Sequence, residues 1–214
     1  MTIAFTFPGQ GSQAVGMGKA LADAYPTAAR VFAEVDEALG QHLSKLMWEG
    51  PEAELTLTEN AQPALMAVSL AAMRVLEEKG ISLKRDAAFV AGHSLGEYSA
   101  LAAAGTFSIA DTARLLKIRG RAMQAAVPVG AGAMAALLGL SFADAAAVAA
   151  EAAQGEVCQA ANDNADGQVV VSGSKAAVER AVELAKGRGA KRAMMLNVSA
   201  PFHCALMQPA ADAM

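Results

Sequence analysis

The stretch Ala87-Ala88-Phe89-Val90-Ala91-Gly92-His93-Ser94-Leu95-Gly96 decides the fold. An apolar run reads as a strand, a G-x-S-x-G follows it, and helix-forming residues come next. Strand, sharp turn and helix in that order describe a nucleophile elbow. The chain turns too tightly there for side chains at the flanking positions, so both are glycine. The Ser94 hydroxyl is left exposed at the top of a sheet as a candidate nucleophile. The bland alternative is a serine at an ordinary strand–helix turn, capping the helix.

Working outward, residues 3–7 form a short apolar run of strand formers closed by Pro8-Gly9. Val31, Phe32, Val35 and Leu39 share one helical face. Asn60 reads as the N-cap of a long helix with Pro63 in its first turn. That helix carries Leu65, Val68, Ala72, Val75 and Leu76, and stops at Gly80. Another helix follows Ser94, and a further one starts at Ser108 as N-cap. Strands alternating with helices predict a mainly parallel sheet covered on both faces.

From about residue 131 the rhythm changes. Residues 133–140 read as a strand, 142–153 as an alanine-rich helix and 157–161 as a strand. Residues 162–167 read as a turn, 168–171 as a strand, 175–186 as a helix and 192–198 as the last strand. The order β-α-β-β-α-β is the ferredoxin-like signature. It predicts a small subdomain at 131–198, inserted into a large α/β subdomain built from 1–130 and 199–214.

Bulk properties narrow the function. The 214 residues are 54% apolar and 18% charged, so a substantial core is expected. A net charge of -4 without a strong basic patch argues against nucleic acid as partner. Cys158 and Cys204 make no disulfide framework, which favours a reducing compartment. The uncharged stretch 122–143 is broken by Gln124, Pro128, Gly130, Gly132 and Gly139, so it does not read as a membrane span. The N-terminus has no basic leader, and its apolar run stops at Pro8. A soluble, cytoplasmic protein is expected. Met1-Thr2 directly before the first strand reads as the start of a stand-alone protein.

His203 is the candidate base for Ser94, because it lies in the loop after the last small-subdomain strand. A lone histidine is also often just a surface residue. His42 lies in a polar stretch, and His93, inside the elbow, reads as structural support. Arg119 shares an apolar helical stripe with Leu115, Ala122 and Ala126. Its head must snorkel to water or find an anion, such as a substrate carboxylate held through two hydrogen bonds. Gly9-x-Gly11-x-x-Ala14 imitates a dinucleotide fingerprint, but Pro8 interrupts it and no acid ends a second strand about 20 residues on. A glycine loop at a sheet mouth can instead offer backbone N–H groups to an oxyanion. The N–H of Leu95, after the serine, is the usual second donor. Lys186, Arg188, Lys191 and Arg192 read as a solvated helix end, with docking of an acidic partner as the alternative.

Three segments occur in order: Phe7-Pro8-Gly9-Gln10-Gly11-Ser12-Gln13, Gly92-His93-Ser94-Leu95-Gly96-Glu97-Tyr98-Ser99-Ala100 and Val198-Ser199-Ala200-Pro201-Phe202-His203-Cys204-Ala205-Leu206-Met207. With Arg119, they resemble the malonyl-CoA:acyl-carrier-protein transacylases of bacterial fatty-acid synthesis. The resemblance runs from Thr2 to the end of the chain. It implies an α/β-hydrolase-like large subdomain with a ferredoxin-like small one, and a ping-pong reaction. Ser94, activated by His203, would take the malonyl group from malonyl-CoA. The phosphopantetheine thiol of acyl carrier protein would then collect it. The resemblance assigns the oxyanion to the backbone N–H groups of Gln10 and Leu95, and the malonyl carboxylate to Arg119. It places Gln62 in the pocket and makes Phe202 a bulky residue that excludes a methyl branch, selecting malonyl over methylmalonyl. It implies no metal and no bound cofactor; no membrane partner and a monomer are expected.

Two departures stand out. The family continues past the position equivalent to Met214. The continuation normally completes the large subdomain and supplies a main-chain carbonyl that orients the catalytic histidine, so neither Asp212 nor any other acid is assigned that role. Asp166 stands where the family often has proline, with little expected effect on chemistry. A serine hydrolase on the same elbow is the competing enzyme, and a protein-binding surface without catalysis is the competing non-enzyme.

Overall fold

A computed structural model of the chain describes residues 3–214. Met1 and Thr2, on which the stand-alone reading rests, lie outside the described residues. The chain divides into two compact units, the first ending at Arg121 and the second spanning Ala122–Met214.

The first unit opens with β1 (Ile3–Phe7), then α1 (Lys19–Ala24), α2 (Pro26–Leu39), α3 (Leu43–Glu49), α4 (Glu52–Thr56), α5 (Thr58–Glu78) and α6 (Leu83–Asp86). After these come β2 (Ala87–Gly92), α7 (Gly96–Ala103) and α8 (Ile109–Ala126), whose last turn lies past the division. β1 and β2 pair in parallel, with Phe5 opposite Val90 and Phe7 opposite Gly92. The parallel pairing agrees with the sequence reading, but cover on both faces does not hold along these strands. Phe89 is 70% exposed and Ile3 40%. The unit's apolar side chains gather among its helices instead. Phe32, Val35, Leu43, Met47, Leu55, Met66 and Leu116 form one cluster there, joined by Leu95 of the elbow. Each such side chain contributes about 1.5–3 kcal/mol when fully buried.

α5 is the centre of this cluster, and it differs from its sequence reading in two ways. It begins at Thr58, so Asn60 is inside the helix and not its N-cap. The Asn60 amide donates instead to the Glu54 carbonyl at 2.9 Å, which ties α5 back to α4. Its buried surface also runs nearly all round from Thr58 to Ala67, leaving Val68, Ala72 and Leu76 only half-buried. A helix surrounded by others buries more than one stripe. α8 starts as expected: Ser108 Oγ accepts from the Asp111 N–H at 3.0 Å.

In the second unit come β3 (Gly132–Leu138), α9 (Phe142–Ala153), β4 (Cys158–Ala165), β5 (Gln168–Ser174), α10 (Lys175–Gly187), β6 (Arg192–Met195), a 3-10 turn (Ala205–Met207) and α11 (Gln208–Asp212). The strands make an antiparallel sheet in the order β4-β5-β3-β6. Alternation along β3 sends Ala133, Ala135 and Leu137 to α9 and α10, where they meet Val148, Ala149, Val178 and Val182. Met134 and Val170 point to the opposite face and join Met123, Phe202 and Met207.

The predicted turn at 162–167 is shorter than expected. Asn162 and Asp163 pair with Val170 and Val169, leaving only Asp166-Gly167 to reverse the chain. Gly167 takes the left-handed conformation, φ 71°. The cross-strand partners override the poor strand propensity of Asn and Asp. β6 is also shorter than its reading of 192–198. Leu196 keeps a bond to the Met134 carbonyl at 2.8 Å, and the Val198 N–H then turns back onto Leu196.

Candidate active site

The elbow follows from sterics. Ser94 has φ 53°, a left-handed conformation that costs a non-glycine residue about 1–3 kcal/mol. A Cβ at Gly92 would lie 1.9 Å from the carbonyl carbon of Gly96, and one at Gly96 only 2.3 Å from the Phe7 oxygen. Neither position admits a side chain. The His93 N–H donates to the Phe7 carbonyl at 3.0 Å, tying the elbow to β1. Its ring packs on Gly9, where a Cβ would fall 2.4 Å from Nδ1. His93 thus supports the loop at residues 9–13, as the sequence suggested. Leu95 is the N-cap of α7 and is 1% exposed, so its N–H stands at the start of the helix, beside Ser94.

Arg119 does not snorkel to water. Its Nη2 donates to Ser94 Oγ at 3.1 Å and its Nη1 to Gln62 Oε1 at 2.6 Å. The guanidinium carbon lies 5.7 Å from the Tyr98 ring centroid. Burial lowers its pKa from the ordinary arginine value, but an arginine there still carries its charge. A desolvated cation beside a serine hydroxyl is an anion site.

The polar contacts continue beyond Gln62. Its Nε2 donates to Thr58 Oγ1 at 2.8 Å, and the Thr58 hydroxyl donates to Gln10 Oε1 at 2.9 Å. Gln62 and Thr58 are each 1% exposed. The first unit therefore joins four expected site residues, Ser94, Arg119, Gln62 and Gln10, through Thr58, which sequence reading passed over. The signal was the i,i+4 spacing of Thr58 and Gln62, which puts both on one helical face.

α8 is clamped onto the start of α5, and this holds Arg119 in place. A Cβ at Gly120 would lie 2.5 Å from Glu59 Cα, so the helices touch backbone to backbone. On either side, Lys117 and Arg121 grip Glu59 at 3.0 and 2.8 Å. Lys117 also donates to Gln41 and Asn60. The Arg121 hydrogen bond, helped by Lys117 and opposed by partial burial, holds the Glu59 carboxyl below its ordinary pKa.

In the second unit His203 is exposed, at φ 58°, a second strained position in the left-handed region. Its loop is pinned on several sides. Pro201 packs on Gly132, where a Cβ would meet the ring at 2.2 Å. The Ala205 N–H donates to Gln159 Oε1 at 2.7 Å, and Gln124 Nε2 donates to the Ser199 carbonyl at 3.3 Å. Phe202 is 8% exposed, within the cluster of Met123, Met134, Val170 and Met207. The basic run is partly spent internally: Lys186 pairs with Glu183 at 2.7 Å and Arg188 with Glu151. Burial pushes the Cys158 thiol up to about 11, which makes it a poor nucleophile. Among the described residues no helix is long and apolar enough to cross a membrane.

An elbow serine, a guanidinium against its hydroxyl and a glycine loop beside it define an acyl-group-handling protein. Residues 4–214 match the acyl transferase domain family, and the chain belongs to it. It is 52% identical over 209 residues to the malonyl CoA-acyl carrier protein transacylase of Escherichia coli K12, covering 98% of this chain and 67% of that protein. Among solved structures, the acyl-carrier-protein-S-malonyltransferase of Bartonella henselae is 62% identical with a TM-score of 0.97, over 100% of this chain and 68% of that one. A malonyl-transacylase solved with a type II PKS acyl-carrier protein is 48% identical with a TM-score of 0.95, over 99% of this chain and 68% of that one. The chain thus spans about two thirds of the length of these relatives.

Proposed function

We propose that the chain transfers a malonyl group from malonyl-CoA to the phosphopantetheine thiol of acyl carrier protein, supplying the extender unit for fatty-acid synthesis. The observation that carries the reading is Arg119 Nη2 at 3.1 Å from Ser94 Oγ. An acyl group on Ser94 that bears a carboxylate one methylene beyond its carbonyl would meet that guanidinium. An acetyl group would offer the guanidinium no anion, and a plain esterase has no use for it.

In this reading Ser94 Oγ attacks the thioester carbonyl while His203 takes its proton. The N–H groups of Gln10 and Leu95 hold the oxyanion, each such donor being worth about 10²–10³ in rate. Coenzyme A leaves as its thiol, taking the proton from His203 and leaving a malonyl-serine ester. The carrier's thiol attacks that ester, gives its proton to His203, and departs as the malonyl thioester with Ser94 restored. Gln62 lines the pocket, and the ring of Phe202 excludes a methyl branch. The chemistry needs no metal or bound cofactor, and two free thiols suit a cytoplasmic enzyme.

The same reading divides the chain into an α/β-hydrolase-like large subdomain, 1–130 and 199–214, and a ferredoxin-like insertion, 131–198. The elbow on a parallel strand pair supports the first. The β3-α9-β4-β5-α10-β6 order and its antiparallel sheet support the second.

The test is intact mass after brief exposure to malonyl-CoA. A malonyl adduct that is absent in Ser94→Ala and discharged by acyl carrier protein is expected. An adduct released to water at the same rate with and without carrier would make the protein a hydrolase.

A further inference from the structure

We propose that Thr58 is a positioning residue that couples the carboxylate-binding arginine to the loop carrying an oxyanion donor. The inference rests on the malonyl-transfer reading for what the two ends do, but the coupling itself is a property of this unit's hydrogen bonds.

The donor order along the chain of contacts is forced from one end. Arginine has only donors, so Gln62 must turn its Oε1 to Arg119. That leaves the Gln62 amide nitrogen facing Thr58, whose oxygen must accept it. The Thr58 hydroxyl in turn donates to Gln10 Oε1 at 2.9 Å. Turning the Gln62 amide round would set its NH2 against the Arg119 donors, in a site where Gln62 and Thr58 are 1% exposed. A guanidinium drawn towards a substrate carboxylate therefore pulls on the side chain of Gln10. The backbone N–H of that residue is the proposed oxyanion donor. Recognition of the acid end of the acyl group is thus transmitted to the carbonyl end.

Thr58 is the link that can be cut with least change of shape. Thr58→Val keeps the volume but removes the hydroxyl that joins Gln62 to Gln10. Thr58→Ser keeps the hydroxyl. Ser94 acylation by malonyl-CoA should slow about tenfold in Thr58→Val, relative to acylation by acetyl-CoA, and Thr58→Ser should restore it. Equal loss in both variants would assign Thr58 to packing and overturn the proposal. Gln10→Leu cuts the far end at an exposed residue with little risk to folding, and it should reproduce the Thr58→Val defect; unchanged malonyl preference there would also overturn it.

A readout independent of activity separates this proposal from the substrate reading. In the nitrogen-15 spectrum of the full chain, Arg119→Ala should shift the Gln10 side-chain amide, and Thr58→Val should block that shift. A Gln10 amide unmoved by Arg119→Ala overturns the coupling even if Ser94 is malonylated. A clear shift with no malonyl adduct upholds the coupling and removes the substrate reading alone.

Discussion

Among the described residues three non-glycine positions, Ser94, Gln154 and His203, hold left-handed backbone conformations; Gln154 ends α9, and the other two carry proposed chemistry. The geometry around Ser94 makes a sharp prediction for Arg119. Arg119→Ala should lower the preference for malonyl over acetyl thioesters by about ten- to a hundredfold, since a charged hydrogen-bonded pair is lost. Competition between the two thioesters for Ser94, read by mass, measures it. A hydrolase would keep its esterase rate in the same variant. Phe202→Ala should admit methylmalonyl-CoA. If wild type already turns over both thioesters equally, Phe202 has no selective role. The ring is packed among Met123, Met134 and Val170, so the variant's melting temperature belongs in the same experiment.

Among elements, the α5–α8 contact determines where Arg119 points. The Glu59 pairs with Lys117 and Arg121 contribute to that contact in a pH-dependent way. The folded-state pKa of Glu59 lies below its unfolded value near 4.5. Its contribution is therefore present above that pH and is lost as the pH falls through the lower folded value. Glu59→Gln should melt below wild type at neutral pH, and the gap should close as the pH drops under 4.5. A gap that stays constant would mean the carboxylate's charge contributes nothing. At this scale the sequence was legible wherever a local cap or period decided the structure. Ser108 caps α8, and the alanine-rich helix at 142–153 has the predicted ends. Asn60 misled because a capping residue type in a helix's first turn looks the same in sequence whether it caps or reaches another element's carbonyl. The turn at 162–167 misled because strand pairing recruited residues of low strand propensity.

Across the whole molecule, apolar content does not say which apolar residues form the core. Phe32 is 1% exposed and meets Trp48 edge to face at 5.7 Å, whereas Phe89, in the strand that leads to the elbow, is 70% exposed. Phe32→Ala should cost about 3–5 kcal/mol. Phe89→Ser should stay within about 0.5 kcal/mol of wild type. Denaturant midpoints for the two variants decide this. Similar losses would mean that Phe89 is buried in solution. By itself, the sequence determined the elbow, with its two obligatory glycines, and the strand–helix order of residues 131–198. Steric exclusion and periodicity act between near neighbours in the chain, so they can be read locally. Tertiary structure alone decided that Arg119 turns inward to Ser94 and that Gln62, Thr58 and Gln10 line up behind it. It also decided that α8 touches α5 at Gly120. Those contacts join residues far apart in sequence, and their donors and acceptors are matched only once the helices have packed.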